Sequence, residues 1–499
     1  MIGIVTKRKG RHSRLWNADA RSERKSELGQ VMTPPGIAQF MASLFSFKRT
    51  ADVQILDAGA GQGALSRALI AEWGRKATRK SSLHLTAYEV DPGMLQQLRP
   101  VLRECVQDQQ RAGRTIDAVI QPVDFIEAVA NPFEYANPGV FTHSILNPPY
   151  KKINSHSMHR IWLRDLGIET VNLYSGFVAV ALQLLGPGGQ LVAIIPRSFC
   201  NGPYYRPFRK MLLRNAAIER IHLFESRTKA FQADGVLQEN VIIKIIRGGK
   251  QGPVEISTSR DDSFQDIERR KVPFEEVVRS DDDDSFIRIP QSELAGRGRL
   301  TFSHDLHDSG LQVSTGPVVD YRLKDYLLDG IEGRAVPLIY ACHFADGRSR
   351  WPEGSTKKKT AIQDVPETHR WLYPTGCYVV TRRLSSKEES RRIIAHMVVR
   401  GDFPGHEWLG FENHLNVFHT AKNGMEEDLA RGLCTYLNST QVDGYFRLFN
   451  GHTQVNAMDL RKLPYPSPDQ LRQLGRQAAK IKRPTQSQID SMVEELNEC

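Results

Sequence analysis

The sequence predicts an α/β fold: a Rossmann-like, doubly wound sheet in the first half and a second domain of α+β type behind it. Two observations carry this. From about residue 53 to 246, short apolar runs alternate with stretches of helical spacing, the pattern of a mostly parallel sheet covered on both faces. After Arg247 the alternation stops. Residues 248–290 turn rich in Gly, Ser and acids, including Asp281 to Asp284, and from about 290 to 470 short strands and helices mix. The domains read as a basic N-terminal segment 1–30, a first domain 31–248, a linker 249–290 and a second domain 291–499.

Each element has its own reason. Between Pro35 and Phe47, Ile37, Phe40, Met41, Leu44 and Phe45 fall at helical spacing behind Thr33 and two prolines, which suit a helix start. Val53 to Leu56 is a buried strand that runs into a glycine-rich turn, and a helix follows from Ala64 to about Trp73. Leu83 to Tyr88 and Ile116 to Ile120 are the next strands, with a helix from about Pro92 to Val106 between them. Val140 to Leu146 is a fourth strand that ends at two prolines. A helix from Tyr174 to Leu185, the turn Gly186 to Gly189, the strand Leu191 to Ile195, a helix from Pro207 to Asn215 and the strands Ile218 to Phe224 and Val241 to Ile246 complete the set.

Composition bounds the function classes. Of 499 residues, 40% are hydrophobic and 25% charged, which excludes disorder over the whole length. Lys and Arg number 67 against 57 Asp and Glu, a formal +10 that favours polyanionic partners. Six cysteines form no CxxC pair, so neither a zinc knuckle nor a disulfide framework is expected, and no metal site. They read as reduced thiols of a cytoplasmic protein. The basic N-terminus has no apolar run behind it, and the most apolar stretch, Phe177 to Leu185, is far shorter than the roughly 20 residues of a membrane helix. No secretory signal and no membrane span are expected.

The turn after the first strand reads Asp57-Ala58-Gly59-Ala60-Gly61-Gln62-Gly63. Glycines at a strand's carboxyl end let a ligand approach the backbone, as a dinucleotide does on a Rossmann turn. Glu89 ends the second strand, where an acid can accept ribose hydroxyls, and Asp124-Phe125 follows the third, where a carboxylate can accept from an adenine amine or cap a helix. Three acids at successive strand ends describe an adenosine-shaped pocket along the top of the sheet.

The fourth strand ends in Asn147-Pro148-Pro149-Tyr150. Here the sequence resembles the amino-methyltransferases, whose signature is (Asp/Asn/Ser)-Pro-Pro-(Tyr/Phe). The chemistry needs those residue types. An exocyclic amine is a poor nucleophile because its lone pair is delocalised into the ring. Two acceptors on its N–H bonds, the Asn147 side-chain oxygen and the Pro148 carbonyl, pull the nitrogen towards a tetrahedral form, and the Pro-Pro backbone fixes the second acceptor. Tyr150 can stack on a base flipped out of the duplex. The alternative is a surface turn that happens to read Asn-Pro-Pro-Tyr, but this one ends an apolar strand downstream of a suitable glycine-rich turn.

The order Thr33-Pro34-Pro35, then Asp57 to Gly63, then Asn147 to Tyr150, then a C-terminal domain, resembles the gamma-type DNA adenine-N6 methyltransferases of restriction-modification systems. Val236-Leu-Gln-Glu-Asn240 and Asn147-Pro-Pro-Tyr-Lys-Lys-Ile153 resemble most the PstI/BsuBI-type methyltransferases. The resemblance implies S-adenosylmethionine as cofactor, with Thr33, Asp57, Ala58, Gly59 and Gly61 at its methionine part, Glu89 on the ribose, and Asp124 and Phe125 at the adenine. It implies duplex DNA as substrate, with Phe231 packed against the flipped base or simply in the core. A separate restriction endonuclease on the same site would be the partner, and a monomer suffices because one strand is touched per event. Asp57 stands where some relatives have Glu, which keeps the charge and shortens the reach.

In the second half, Lys357, Lys358, Lys359, Arg382 and Arg383, followed by Arg391-Arg392, lie among the aromatics Trp371, Tyr373 and Tyr378. Basic residues with interleaved aromatics suit phosphate positioning and base readout, and equally a solvated face. Phe411 to Asn416 and Gly451 to Asn456 read as recognition segments or as scaffold for them. Three rivals stay open: a cytosine-N4 methyltransferase, a methyltransferase acting on a protein glutamine, and an inactive DNA-binding relative.

Overall fold

The computed structural model describes residues 32–48, 52–135, 140–224, 239–290 and 300–498, less 301, 303, 332, 346–347, 353–357, 386–388 and 451–452. The basic segment 1–30, Phe231 and Lys357 lie outside them. The chain divides into two compact units, Met1–Ile289 and Pro290–Cys499.

The first unit is built on one nine-stranded sheet. Its elements in chain order are α1 (Pro35–Ser43), β1 (Asp52–Ala58), α2 (Ala64–Lys76), β2 (Ser82–Tyr88), α3 (Pro92–Arg111), β3 (Thr115–Gln121), α4 (Phe125–Ala130), β4 (Phe141–Leu146), α5 (Met158–Asp165), α6 (Leu173–Leu184), β5 (Leu185–Pro196), α7 (Arg206–Asn215), β6 (Ala216–Phe224), β7 (Asn240–Arg247), β8 (Val254–Ser259) and β9 (Glu268–Val272). The strand order is β3-β2-β1-β4-β5-β7-β6-β8-β9. Strands β1 to β5 run parallel, and β7 lies antiparallel to both β5 and β6.

Side-chain alternation covers both faces. In β1, Val53 and Ile55 join one core while Leu56 and Ala58 join the other; in β5, Val192 and Ile194 face the first, Leu191, Ala193 and Ile195 the second. Helices α1, α2 and α3 close the first face and α4 to α7 the second. Each fully buried Ile, Leu or Val contributes about 1.5–3 kcal/mol, so a central strand apolar on both faces anchors the sheet.

The stretch read as a linker is part of this unit. Residues 254–259 and 268–272 are β8 and β9, which extend the sheet at one edge. Strand β9 reads Glu-Arg-Arg-Lys-Val and faces solvent over most of its length, so an edge strand carries no apolar period for a sequence reading to find. The acidic run is pinned rather than free: Arg209 donates to the Asp284 carbonyl from Nε (3.0 Å) and Nη2 (2.8 Å), and Arg288 Nη2 lies 2.9 Å from Asp282 Oδ2.

The second unit holds a six-stranded and a five-stranded sheet, both of short strands, and among the described residues it closes with helices at 427–437, 440–449, 457–461, 468–479 and 486–498. The helices Glu427–Leu437 and Pro468–Ala479 meet at Gly432 and Gly475; a methyl on either would strike the carbonyl of Leu471 or Asp428. Among the described residues no helix is long and apolar enough to cross a membrane.

Candidate active site

The sheet changes direction between β1 and β4, because β1 pairs with β2 on one side and with β4 on the other. In open α/β sheets the crevice at such a point, beyond the strands' carboxyl ends, receives ligands. Register brings the motifs there together. Asp57 is level with Ala87 of β2 and with Ile145 of β4, so Gly59, Glu89 and Asn147 all leave the sheet two residues later.

The glycine-rich turn folds as its residues demand. Gly59, Gly61 and Gly63 all have positive φ (80°, 55° and 88°), and Gly63 is the left-handed residue that opens α2. The amides of Gly59 and Ala60 both donate to the Tyr88 carbonyl at 2.9 Å. Beneath the turn Asp57 is fully buried and accepts from Ser66 Oγ of α2 at 2.5 Å, while among the described residues its other carboxylate oxygen has no hydrogen-bond partner. Burial pushes the Asp57 carboxyl up to about 7, against the lowering effect of Ser66 and with a further push from Glu89.

Glu89 is 5% exposed. Its Oε1 accepts from the amides of Val90 (2.9 Å) and Asp91 (2.7 Å), and its Oε2 from Gly61 (2.8 Å). A carboxylate has about four lone pairs, so one on Oε2 stays open to a ligand. Burial raises the Glu89 carboxyl above its ordinary value despite those three amides. Asp91 caps α3 through the amides of Gly93 and Met94.

Asp124 does what a cap does and more. Its Oδ1 accepts from the amides of Ile126 and Glu127 at the start of α4, and its Oδ2 lies 2.9 Å from His159 Nε2 of α5. Burial would raise this carboxyl, but the hydrogen bond and charge of His159, with the two amides, hold it below the usual range.

Asn147 follows β4 and is 9% exposed. Its Nδ2 donates to Thr33 Oγ1 at 2.8 Å. The Tyr150 hydroxyl lies 3.1 Å from Asn147 Oδ1 and 3.1 Å from the Ile194 carbonyl of β5. Burial raises that phenol well above its ordinary value, so it stays a donor. Its ring meets Tyr174 edge-on. Among the described residues no donor is bonded to the Pro148 carbonyl.

These groups surround one cavity with about 840 Å³ of empty space including its open mouth. Gly59, Gly61, Glu89, Asp124, Phe125, Asn147 and Pro149, all singled out from the sequence, line it. Thr33, Asp57, Ala58, Pro148 and Tyr150 do not: Asp57 and Ala58 are buried under the turn, and Thr33 and Tyr150 hold Asn147. The sequence reading missed His159, Lys151, Val90 and Phe177, which also line the cavity. His159 sits in a short polar helix whose only sequence mark is the Ser157 cap, and that mark says nothing of the cavity.

The residues that line the cavity fit an adenosine-bearing ligand. Gly59 and Gly61 leave room against the backbone, Val90, Met94, Val123 and Phe125 offer apolar walls to a planar ring, and Glu89 and Asp124 present acceptors at successive points.

In the second unit, Lys358 and Arg382 line a separate hollow with about 670 Å³ of empty space including its open mouth, together with Tyr340, Glu412 and His414. The basic residues have partners inside the chain: Lys358 with Asp320 (3.6 Å), Lys359 with Asp329 (2.5 Å) and Arg382 with Glu389 (2.8 Å), while Arg383 reaches the Asn413 carbonyl (3.4 Å). Tyr373 and Tyr378 are core residues rather than surface aromatics, and Arg392 is buried over Phe446. Asn416 is buried and donates to the Val455 carbonyl, which makes its segment scaffold.

Comparison with known proteins agrees with this architecture. The family described as Eco57I restriction-modification methylase matches residues 89–231. The Type IIL restriction-modification enzyme MmeI, solved in complex with DNA, shares the fold with a TM-score of 0.52 at 11% identity, over 96% of this chain and 71% of that one. The fold class is therefore Rossmann-like, as in that enzyme, with a stretch that matches a methylase family. The Type II methyltransferase M.BsuBI of Bacillus subtilis is 46% identical over 481 residues, 95% of this chain and 94% of that protein. The Type II methyltransferase M.PstI of Providencia stuartii is 40% identical over 461 residues, 91% of this chain and 90% of that protein. The chain belongs to the type II methyltransferase family of M.BsuBI and M.PstI.

Proposed function

We propose that this chain transfers a methyl group from S-adenosylmethionine to the N6 amine of adenine in duplex DNA, acting on a base flipped out of the helix. The observation that carries the reading is Asn147 at the end of β4, opening on the same cavity as Glu89 and Asp124. The cofactor supplies a methyl group on a sulfonium, which needs no metal to be a good electrophile. Glu89 Oε2 would hold the ribose and Asp124 Oδ2 the adenine amine of the cofactor, with Phe125 against its ring.

At the other end, Asn147 Oδ1 and the Pro148 carbonyl would accept the two N–H bonds of the target amine and localise its lone pair. So held, the nitrogen would take the methyl group from the sulfonium, whose sulfur would keep the electron pair of the broken bond, and the surplus N–H proton would leave to solvent. Positioning carries most of the rate. The Tyr150 ring would stack on the target base, with its hydroxyl held by Ile194. Asp57 acts from below, through Ser66 and the turn. The second unit would grip the duplex, with Lys358 and Arg382, which line one hollow, as candidate phosphate contacts. A cognate endonuclease would be a separate chain.

The test is transfer from labelled S-adenosylmethionine to unmethylated DNA, with nucleoside analysis of the product. N6-methyladenine is expected. N4-methylcytosine would overturn the base assignment, and cofactor binding without any label in DNA would overturn the reaction.

A further inference from the structure

A carboxamide has two unlike ends. The reaction proposed above needs the Asn147 oxygen towards the amine; turned by half a rotation, the side chain would set its own N–H bonds against those of the amine. The last torsion of an asparagine is broad and two-fold, so the residue does not choose between the two by itself. Here Thr33 Oγ1 takes the Nδ2–H at 2.8 Å, and the Tyr150 hydroxyl lies 3.1 Å from Oδ1. That hydroxyl carries one proton, shared between Asn147 Oδ1 and the Ile194 carbonyl, which is also 3.1 Å away.

Thr33 is held as firmly as its partner. The following proline confines Thr33 to extended backbone. Pro34 and Pro35 start α1, the Pro34 carbonyl accepts from the Ala38 amide at 3.0 Å, and the buried face Ile37, Ala38, Met41 and Ala42 fixes the helix to the sheet. A hydroxyl 114 positions from Asn147 in sequence is thereby placed against its amide.

We infer that Thr33 is a positioning residue for Asn147, which sets the orientation of the amide in concert with the Tyr150 hydroxyl. The inference rests on the function proposed above and differs from the role of cofactor contact that resemblance implies for Thr33.

The experiment uses the full chain as Thr33→Val, which keeps the shape and removes the hydroxyl, and Thr33→Ser, which keeps the hydroxyl. Three quantities are read: the single-turnover rate at saturating cofactor, the affinity for S-adenosylmethionine by calorimetry, and the solvent exchange of the Asn147 side-chain amide by ¹⁵N NMR, assigned by its loss in Asn147→Asp. Thr33→Val should slow transfer about tenfold and speed the exchange about tenfold, with affinity within about twofold. Thr33→Ser should stay within about twofold of the wild type in all three. Weakened cofactor affinity with rate and exchange unchanged would overturn the inference and make Thr33 a cofactor contact; no change in any quantity would overturn it too. Should Thr33→Val fail to fold, Tyr150→Phe removes the hydroxyl at the other end and should give the same pattern. The exchange arm does not depend on the reaction, so a wild-type protein that methylates no adenine would sink the proposed function while still deciding this inference.

Discussion

The strand ends on the two sides of the β1–β4 junction are held in different ways. On the β2 and β3 side, Glu89 and Asp124 are fixed by amides of their own immediate neighbours: Val90 and Asp91 for the first, Ile126 and Glu127 for the second. On the β4 side, Asn147 is held by Thr33, 114 positions earlier in the sequence, and by Tyr150, three residues on, whose hydroxyl also meets a carbonyl of β5. The first arrangement is mainly local, with one distant partner for each acid, the Gly61 amide for Glu89 and His159 for Asp124. The second depends on the whole sheet being assembled, which suits a group whose orientation decides the chemistry.

Substitutions at four residues break or sharpen this contrast. Asn147→Ala should lower single-turnover methyl transfer by about 10²–10³-fold while cofactor affinity, measured by calorimetry, stays within about twofold. Equal losses in both would mean that the two sides are not separate. Glu89→Ala should do the reverse, with affinity falling about 10- to 100-fold as a charged acceptor is lost and three amides are left unpaired. Glu89→Gln, which keeps one oxygen, should fall between; an unchanged affinity would move the ribose site elsewhere.

Asp57 gives a pH signature. Its folded carboxyl sits at about 7, above the ordinary value of about 3.9 in an unfolded chain. The folded state then binds the extra proton between those values, so this contribution to stability is fully present below about pH 4 and lost as pH rises through about 7. Urea unfolding at pH 5 and pH 8 should show the decline, and Asp57→Asn should flatten it; an unaltered slope would assign the decline to other groups. Glu89, also raised, acts in the same direction. Asp124, held low, acts in the opposite sense and loses its contribution as pH falls through its folded value. The smallest effect is expected of His159→Ala. Asp124 keeps its two amides, so cofactor affinity should weaken only about two- to tenfold. Unchanged affinity would leave His159 a surface partner of Asp124 and no more.

The order β-turn-helix in the first unit was legible because its central strands are apolar on both faces and its turns carry glycine or proline. The motifs that line the cavity sit at the ends of those strands, so finding the strands found Gly59, Glu89, Asp124 and Asn147. Strands β8 and β9 escaped because an edge strand buries little, and its charged residues read as a connection. In the second unit Tyr373, Tyr378 and Arg392 read as surface groups by type and are core by packing. Among short strands such as 378–382 and 395–398 there is too little length for a period to show.

By itself the sequence determined the alternation of strands and helices, the glycine-rich turn with its positive φ angles, the acids that cap and close their own strand ends, and the identity of the amide-bearing motif. All of these rest on interactions within a few residues, or on periods that local side chains set. Only the tertiary structure decided that Asp57 lies beneath the cavity rather than in it, that His159 reaches Asp124, and that Thr33 meets Asn147. Those pairings join residues far apart in the chain, and they exist only once parallel pairing has set the register of β1 against β2 and β4.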